Sequence, residues 1–389
     1  MAQVDNQSPL GDVSLDTFLS QYWQQQPLLI RQAVAPSLLD VDGNDLAALA
    51  LDSEIESRII TETNGIWSLQ HGPFEEAVFS SLPTSHWTLL VQAVDHYLPS
   101  VNQLLDLFRC LPNWRLDDIM ISYAADGGSV GPHYDQYDVF LLQAGGQRHW
   151  QIGQHCDAST QLDRSSDLTL VQDFQCTEDH ILNPGDMLYL PPGVAHYGIA
   201  RGDCITYSIG FRSPSISEAF SSFSDYLTDV TGSDNRYRDP GLQSPSGQIT
   251  AAQLAHFKAW MQAQLADEER LQQWFGQEMT RGKYSHSNTQ ADDLVPLGSL
   301  ALNDIPATDV IYKALDSRWA YMEACQQESP VTLFAGGLSF KVSATLAVAL
   351  CSGSQWQASQ LTDLCLTDDD RSAVDQFLQE ELLHLEQYE

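Results

Sequence analysis

At 389 residues the chain exceeds a usual single core of about 100–150 residues, so two or three domains are expected. Its 43% hydrophobic and 10% aromatic content, with nine Trp, supplies a packed core and excludes a mainly disordered chain. Eighteen basic against 52 acidic side chains leave a formal charge of −34, which disfavours direct nucleic-acid binding and suits a basic protein partner.

Seven cysteines (Cys110, Cys156, Cys176, Cys204, Cys325, Cys351 and Cys365) are odd in number and never spaced C-x-x-C. That pattern argues against a disulfide framework or a zinc ribbon and reads as reduced thiols. The opening MAQVDNQSPLGD has no basic patch followed by an apolar run, and no apolar stretch reaches about 18 residues, so neither export nor a membrane span is signalled. A cytoplasmic protein is expected.

Residues 1–13 read as a polar tail. Leu15, Phe18, Leu19 and Tyr22 follow helical spacing up to Trp23; Pro27 then breaks the pattern before a short strand at Leu28-Leu29-Ile30. Between about residues 118 and 211 the pattern turns to short β-like runs, IMISYA, YDVFLLQ, RHWQI, MLYLP and CITYSIGF, separated by Gly, Pro and Asp. Such strands predict a sandwich or barrel, hence a mainly β catalytic domain over 14–214 with N-terminal α/β elaboration. After Pro214 come SEAFSSFSDYLTDV, a break at DPGLQSPSG, and a long amphipathic stretch at 249–281 with Leu254, Phe257, Trp260, Met261 and Leu265; 215–300 reads as a helical region, either an oligomerisation module or a cover packed on the barrel. Residues 301–389 predict a helix holding Ile311, Ala314 and Leu315, a hairpin of VTLF and LSFKV about Gly336-Gly337, and a last helix opening at Thr367 with Asp368 to Asp370 in its first turn, a winged-helix-like set.

His-x-Asp or His-x-Glu occurs at His133/Asp135, His155/Asp157 and His384/Glu386. Composition alone gives about one or two such tripeptides, so context decides. His384 and Glu386 fall in an expected terminal helix, where i and i+2 face apart, and His155 falls in a polar loop. His133 instead follows the turn Asp126-Gly127-Gly128-Ser129-Val130-Gly131-Pro132 and enters an expected strand, where i and i+2 share a face. The run Gly185-Asp186-Met187-Leu188-Tyr189-Leu190-Pro191-Pro192-Gly193-Val194-Ala195-His196 supplies turn, strand, turn and a third ligand.

These residues resemble the cupin superfamily, whose second motif G-x5-P-x-G-x2-H is matched by Gly185, Pro191, Gly193 and His196. In the first motif Gly127, His133 and Gly145 fit, while Asp135 stands where the archetype has His and Asp138 where it often has Glu. Two His and one carboxylate leave three positions open on an octahedral ion, which suits Fe(II), a bidentate oxoacid and O2, whereas zinc prefers a tetrahedral set. For the distal carboxylate of 2-oxoglutarate, Arg148 shares an inward face with Trp150 and Ile152; Arg212, beyond His196, is the rival.

Together, FLSQYWQQQPLLIR, DDIMISYAADGGSVGPHYDQYDVFLLQAGGQRHWQIG, LNPGDMLYLPPGVAHYG and ITYSIGFRSPS resemble the bacterial JmjC ribosomal oxygenases. That resemblance implies a double-stranded β-helix, Fe(II) on His133, Asp135 and His196, and 2-oxoglutarate on Arg148 and Ser122. It also implies O2-dependent hydroxylation of the β-carbon of an arginine in large-subunit ribosomal protein number sixteen, and a homodimer. Asp118, Asp126 and Asp138 are candidates to meet the substrate guanidinium. Two other readings stay open: N-methyl-lysine demethylation by the same chemistry, and a non-catalytic metal-binding interaction module.

Overall fold

The computed structural model describes residues 8–166, 168–231, 236–239, 241, 247–283, 301–323 and 330–385. The expected tail, the DPGLQSPSG break, Cys325 and Glu386 fall partly or wholly outside them. The chain divides into two compact units, one up to Ser213 and one from Pro214.

In the first unit Ser14 Oγ caps a short helix α1 (Leu15–Thr17), which widens into a π-helical turn at Phe18–Tyr22. That turn buries Phe18 against Phe140 and Tyr189. Then follow β1 (Leu28–Ile30), α2 (Gly43–Leu49), β2 (Ser57–Thr63), β3 (Ile66–His71), α3 (Glu76–Ser81), β4 (Trp87–Val91), α4 (Pro99–Leu104) and β5 (Leu116–Ala124). The remaining strands are β6 (Val139–His155), β7 (Leu162–Asp163), β8 (Leu170–Val171), β9 (Glu178–Leu182), β10 (Met187–Leu190) and β11 (Val194–Phe211). Among the described residues nine strands form one sheet in the order β1-β10-β6-β11-β5-β4-β2-β3, with β9 also beside β6.

Two long strands turn this sheet into a barrel-like wrap. The first arm of β6, Val139–Leu142, pairs with β10; its second arm, Arg148–Ile152, pairs with β9; β11 follows both arms. YDVFLLQ and RHWQI, expected as separate strands, are these two arms, and CITYSIGF is likewise the distal arm of β11. The Gly145-Gly146 step bends β6 without ending it, because β11 shifts register opposite, between Arg201 and Ile205, and the ladder resumes. Gly146 has φ +61°, and a Cβ there would lie 2.1 Å from the Asp203 carbonyl, so only glycine fits the corner.

Alternation along the strands sorts the faces. Ile119 and Ile121 of β5, Phe140 and Leu142 of β6, and Tyr207, Ile209 and Phe211 of β11 enter one large core. Each such buried side chain contributes about 1.5–3 kcal/mol. The opposite faces carry Asp118 and Ser122, Gln143 and Arg148, His196 and Thr206, all at most 5% exposed. These polar groups share the inner faces with a second apolar cluster that includes Val139, Leu141, Trp150, Ile152, Leu188 and Leu190, so polarity is confined to part of the inside of the wrap.

The second unit holds α5 (Ile216–Thr231), α6 (Ala251–Leu265), α7 (Glu268–Thr280), β12 (Val310–Lys313), β13 (Trp319–Met322), β14 (Val331–Ala335), β15 (Leu338–Val342), α8 (Ala344–Ser352), β16 (Gln355–Gln357), α9 (Ala358–Leu364), α10 (Asp368–Gln379) and β17 (Leu383–His384). The hairpin about Gly336-Gly337 is present, and Thr367 caps α10 in a capping box with Asp370. Three expectations fail here. The 249–281 stretch is two helices, because Asp267 takes extended backbone and caps α7; α6 buries none of its residues, so it is not amphipathic about a core. Ile311 lies in a strand between β16 and β17, where the β-branched and aromatic run Val310-Ile311-Tyr312 fits a pleat better than a helix. His384 also sits in a strand, paired with Tyr312.

Candidate metal centre

His133 and Asp135 precede β6 rather than lying in it. His133 forms a two-bond bridge with His196 of β11, its N–H donating to the His196 carbonyl (3.0 Å) and the reverse at 2.8 Å. The Gly193 N–H donates to the Asp135 carbonyl at 2.8 Å and pins the following turn. Free of the pleat, the two side chains need not lean across a strand's i to i+2 gap of roughly 6.5–7 Å. One ligand atom each from His133, Asp135 and His196 lie within 4.8 Å of one another.

Both imidazoles are oriented for a metal. His133 Nδ1 stands 2.9 Å from the Gly131 carbonyl and His196 Nδ1 3.0 Å from the Val194 carbonyl. A carbonyl only accepts, so each Nδ1 carries the proton and each Nε2 keeps its lone pair for the centre. Burial, and next the neighbouring His133, push the His196 pKa down to about 4, so this ring is neutral near pH 7. Its 3.7 Å approach to Asp135 Oδ2 is thus no ion pair but two donor atoms aimed at one point. Two neutral imidazoles and one carboxylate fit a divalent iron with open positions.

Of the other two His-x-acid pairs, His155 ends β6 opposite Val194 instead of lying in a loop, and His384 is far along the chain in β17. Among the described residues only the first pair enters a metal-competent group.

Beyond His196 along the same inner face lies Arg148, 3% exposed. Its Nη1 donates to Ser122 Oγ and Thr206 Oγ1, each at 3.2 Å, and its guanidinium lies 5.2 Å over the Trp150 ring. Nε is buried without a partner, and no carboxylate pairs with Arg148 among the described residues. Burial pulls this guanidinium's pKa down. A buried cation held only by two hydroxyls and a ring face is costly until an anion arrives. Arg212, by contrast, is spoken for: its Nε donates to Asp117 Oδ1 at 3.1 Å. Ser122, the other residue expected at the co-substrate, lies beside Arg148. Thr206, which the sequence reading missed, joins too, because β5 and β11 pair it directly with Ser122.

The three aspartates that were candidates for the substrate guanidinium separate cleanly. Asp138 is fully buried and committed to Tyr189 (2.6 Å), Arg115 (3.0 Å) and Gln24 (3.1 Å), so it faces no substrate. Asp126 is exposed at the glycine turn and accepts from the Gly202 N–H at 2.7 Å. Asp118 lies on the inner face of β5, four residues before Ser122, and accepts from Gln92 Nε2 at 2.7 Å. Beside it Tyr137, 43% exposed, has its phenol pKa raised by Asp135 first, then by burial and by Asp118 and Asp117. The inner faces thus bring together the metal-competent group His133, Asp135 and His196, the buried Arg148 with Ser122 and Thr206, and Asp118 on β5.

A JmjC domain model matches residues 103–219, a span that includes these groups. The chain is 36% identical over 275 residues to the ribosomal protein uL16 3-hydroxylase of Escherichia coli (strain K12), covering 69% of this chain and 71% of that protein. The X-ray structure of E. coli YcfD matches with a TM-score of 0.82 and 29% identity over 96% of this chain and 99% of that one. YcfD, a ribosomal oxygenase from E. coli in complex with cobalt and 2-oxoglutarate, matches at 0.79 and 28% identity over 97% and 99%. The wrap built by β6 and β11 is accordingly the JmjC/cupin double-stranded β-helix.

Proposed function

The chain belongs to the JmjC ribosomal oxygenase family, and from that premise we propose that it hydroxylates the β-carbon of an arginine in ribosomal protein uL16, with Fe(II) on His133, Asp135 and His196 and 2-oxoglutarate on Arg148, Ser122 and Thr206. It is a 2-oxoglutarate-dependent oxygenase that uses Fe(II) and O2. The observation that carries the site assignment is Arg148, a buried cation with a partnerless Nε and two hydroxyls beside it, which a planar carboxylate would satisfy. Bound iron, 2-oxoglutarate and O2 supply the oxidation, one oxygen atom leaving in succinate as CO2 is released and the other entering the substrate C–H bond.

The protein's own residues orient and discriminate. His133 and His196 present Nε2 because backbone carbonyls hold their Nδ1 protons. At the other end of the β5 face, Asp118 receives the substrate guanidinium and the Tyr137 ring flanks its aliphatic stem, which sets the carbon that faces the metal. The formal charge of −34 draws a basic ribosomal protein in the cytoplasm toward this surface. Asp118→Asn is expected to lower kcat/KM for uL16 by about 10–100-fold while leaving the KM for 2-oxoglutarate within about twofold, measured by steady-state hydroxylation. Unchanged kcat/KM would remove Asp118 from the substrate site.

A second copy of this chain covers α5 and α6. Ile216 (75% exposed) and Phe220 (50%) on α5, and Leu254 (63%), Phe257 (44%) and Met261 (46%) on α6, expose more apolar surface than isolated helices usually carry. Sedimentation of the full chain should give twice the 43.2 kDa monomer mass, and Phe257→Glu with Met261→Glu should shift it to monomer. A monomeric wild type would refute the homodimer.

A further inference from the structure

We propose that Gln92 is a positioning residue that aims Asp118 at the substrate cation; this rests on the assignment of Asp118 as the guanidinium acceptor. Gln92 directly follows β4 and reaches across to β5, where its Nε2 donates to Asp118 Oδ2 at 2.7 Å. Its orientation is fixed from both ends. Arg58 Nη2 of β2 donates to Gln92 Oε1 at 3.1 Å, and the Gln92 N–H donates to the Glu56 carbonyl at 2.9 Å. An arginine can only donate, so the amide oxygen must face Arg58 and the amide nitrogen must face Asp118.

The residue type matters as much as the contact. A cation at position 92 would pair with Asp118 and compete with the incoming guanidinium. A neutral amide fixes the carboxylate's rotamer without adding a competing positive charge. Arg58, Gln92 and Asp118 come from β2, the end of β4 and β5, neighbours in one sheet, so the relay is built into the strand order.

The test compares full-length, Fe(II)-loaded wild type with Gln92→Leu and Gln92→Glu, using a uL16 peptide carrying either arginine or the neutral isostere citrulline at the modified position. Leu removes the donor; Glu turns it into a repelling charge yet keeps a partner for Arg58, so a variant that folds is available either way. Both are expected to raise the KM for the arginine peptide about tenfold with kcat within about twofold, and to cut the arginine-over-citrulline preference by a similar factor. Adding Gln92→Leu to Asp118→Asn should change nothing further. Equal losses on both peptides would reduce Gln92 to a structural residue and overturn the proposal. Asp118→Asn with no effect would sink the guanidinium assignment itself, whereas an effect of Asp118→Asn without one from Gln92 would sink only the relay.

Discussion

Asp135→Ala is expected to abolish hydroxylation of uL16, lowering turnover by at least about a thousandfold, the scale of several kcal/mol of lost metal assistance. Asp135 is the single anionic ligand; without it two neutral imidazoles 4.3 Å apart, ring centre to ring centre, offer a divalent ion no charge compensation. The readout need not be turnover alone. Anaerobic titration with Fe(II) or Co(II), followed by absorbance on adding 2-oxoglutarate, should show saturable binding in the wild type and none in Asp135→Ala at matched concentrations. The imidazoles themselves should stay in place, because their orientation comes from the Gly131 and Val194 carbonyls and from the two-bond bridge, none of which involves the Asp135 carboxylate. Retained metal binding and hydroxylation would refute the triad.

Arg148→Met is expected to have two effects of opposite sign. The KM for 2-oxoglutarate should rise by about 100-fold or more, since a charge-assisted, two-bond contact to a carboxylate is lost in a dry site. The protein without co-substrate should become more stable, because a buried guanidinium with no carboxylate partner among the described residues is replaced by an apolar chain of similar length that packs on Trp150. A gain of about 1–4 kcal/mol would appear as a higher Tm in the absence of 2-oxoglutarate. The ordering then reverses at saturating 2-oxoglutarate, which stabilises only the protein that binds it. A surface-type arginine with a hidden partner would show neither effect, and a loss of stability without co-substrate would contradict the idea that Arg148 awaits an anion.

The parts of this site that were legible in the sequence are those set by local rules. Glycines and prolines mark the turns before His133 and His196, and alternation puts Arg148 with Trp150 and Ile152 on one face. Even so, the strand expected to carry His133 and Asp135 begins only at Val139, because the bridge to His196 holds the pair in a loop. What was not legible depends on register between distant strands. Nothing local to CITYSIGF marks Thr206, which matters only because β11 brings it opposite Ser122; Gln92 matters only because β4 ends beside Asp118. The same cause misled the reading of Ile311 and His384. Both lie in short strands whose partners are far along the chain, while runs this brief carry too little periodicity to separate strand from helix.

Mass spectrometry of uL16 after the Fe(II)-loaded enzyme meets 2-oxoglutarate and O2 decides whether this chain is an arginine hydroxylase. A gain of one oxygen on a single arginine is expected, placed at its β-carbon by fragmentation, with one succinate per modified residue and no formaldehyde. Formaldehyde release with loss of a methyl group from lysine, or 2-oxoglutarate consumption that leaves every arginine of uL16 unmodified, would contradict it.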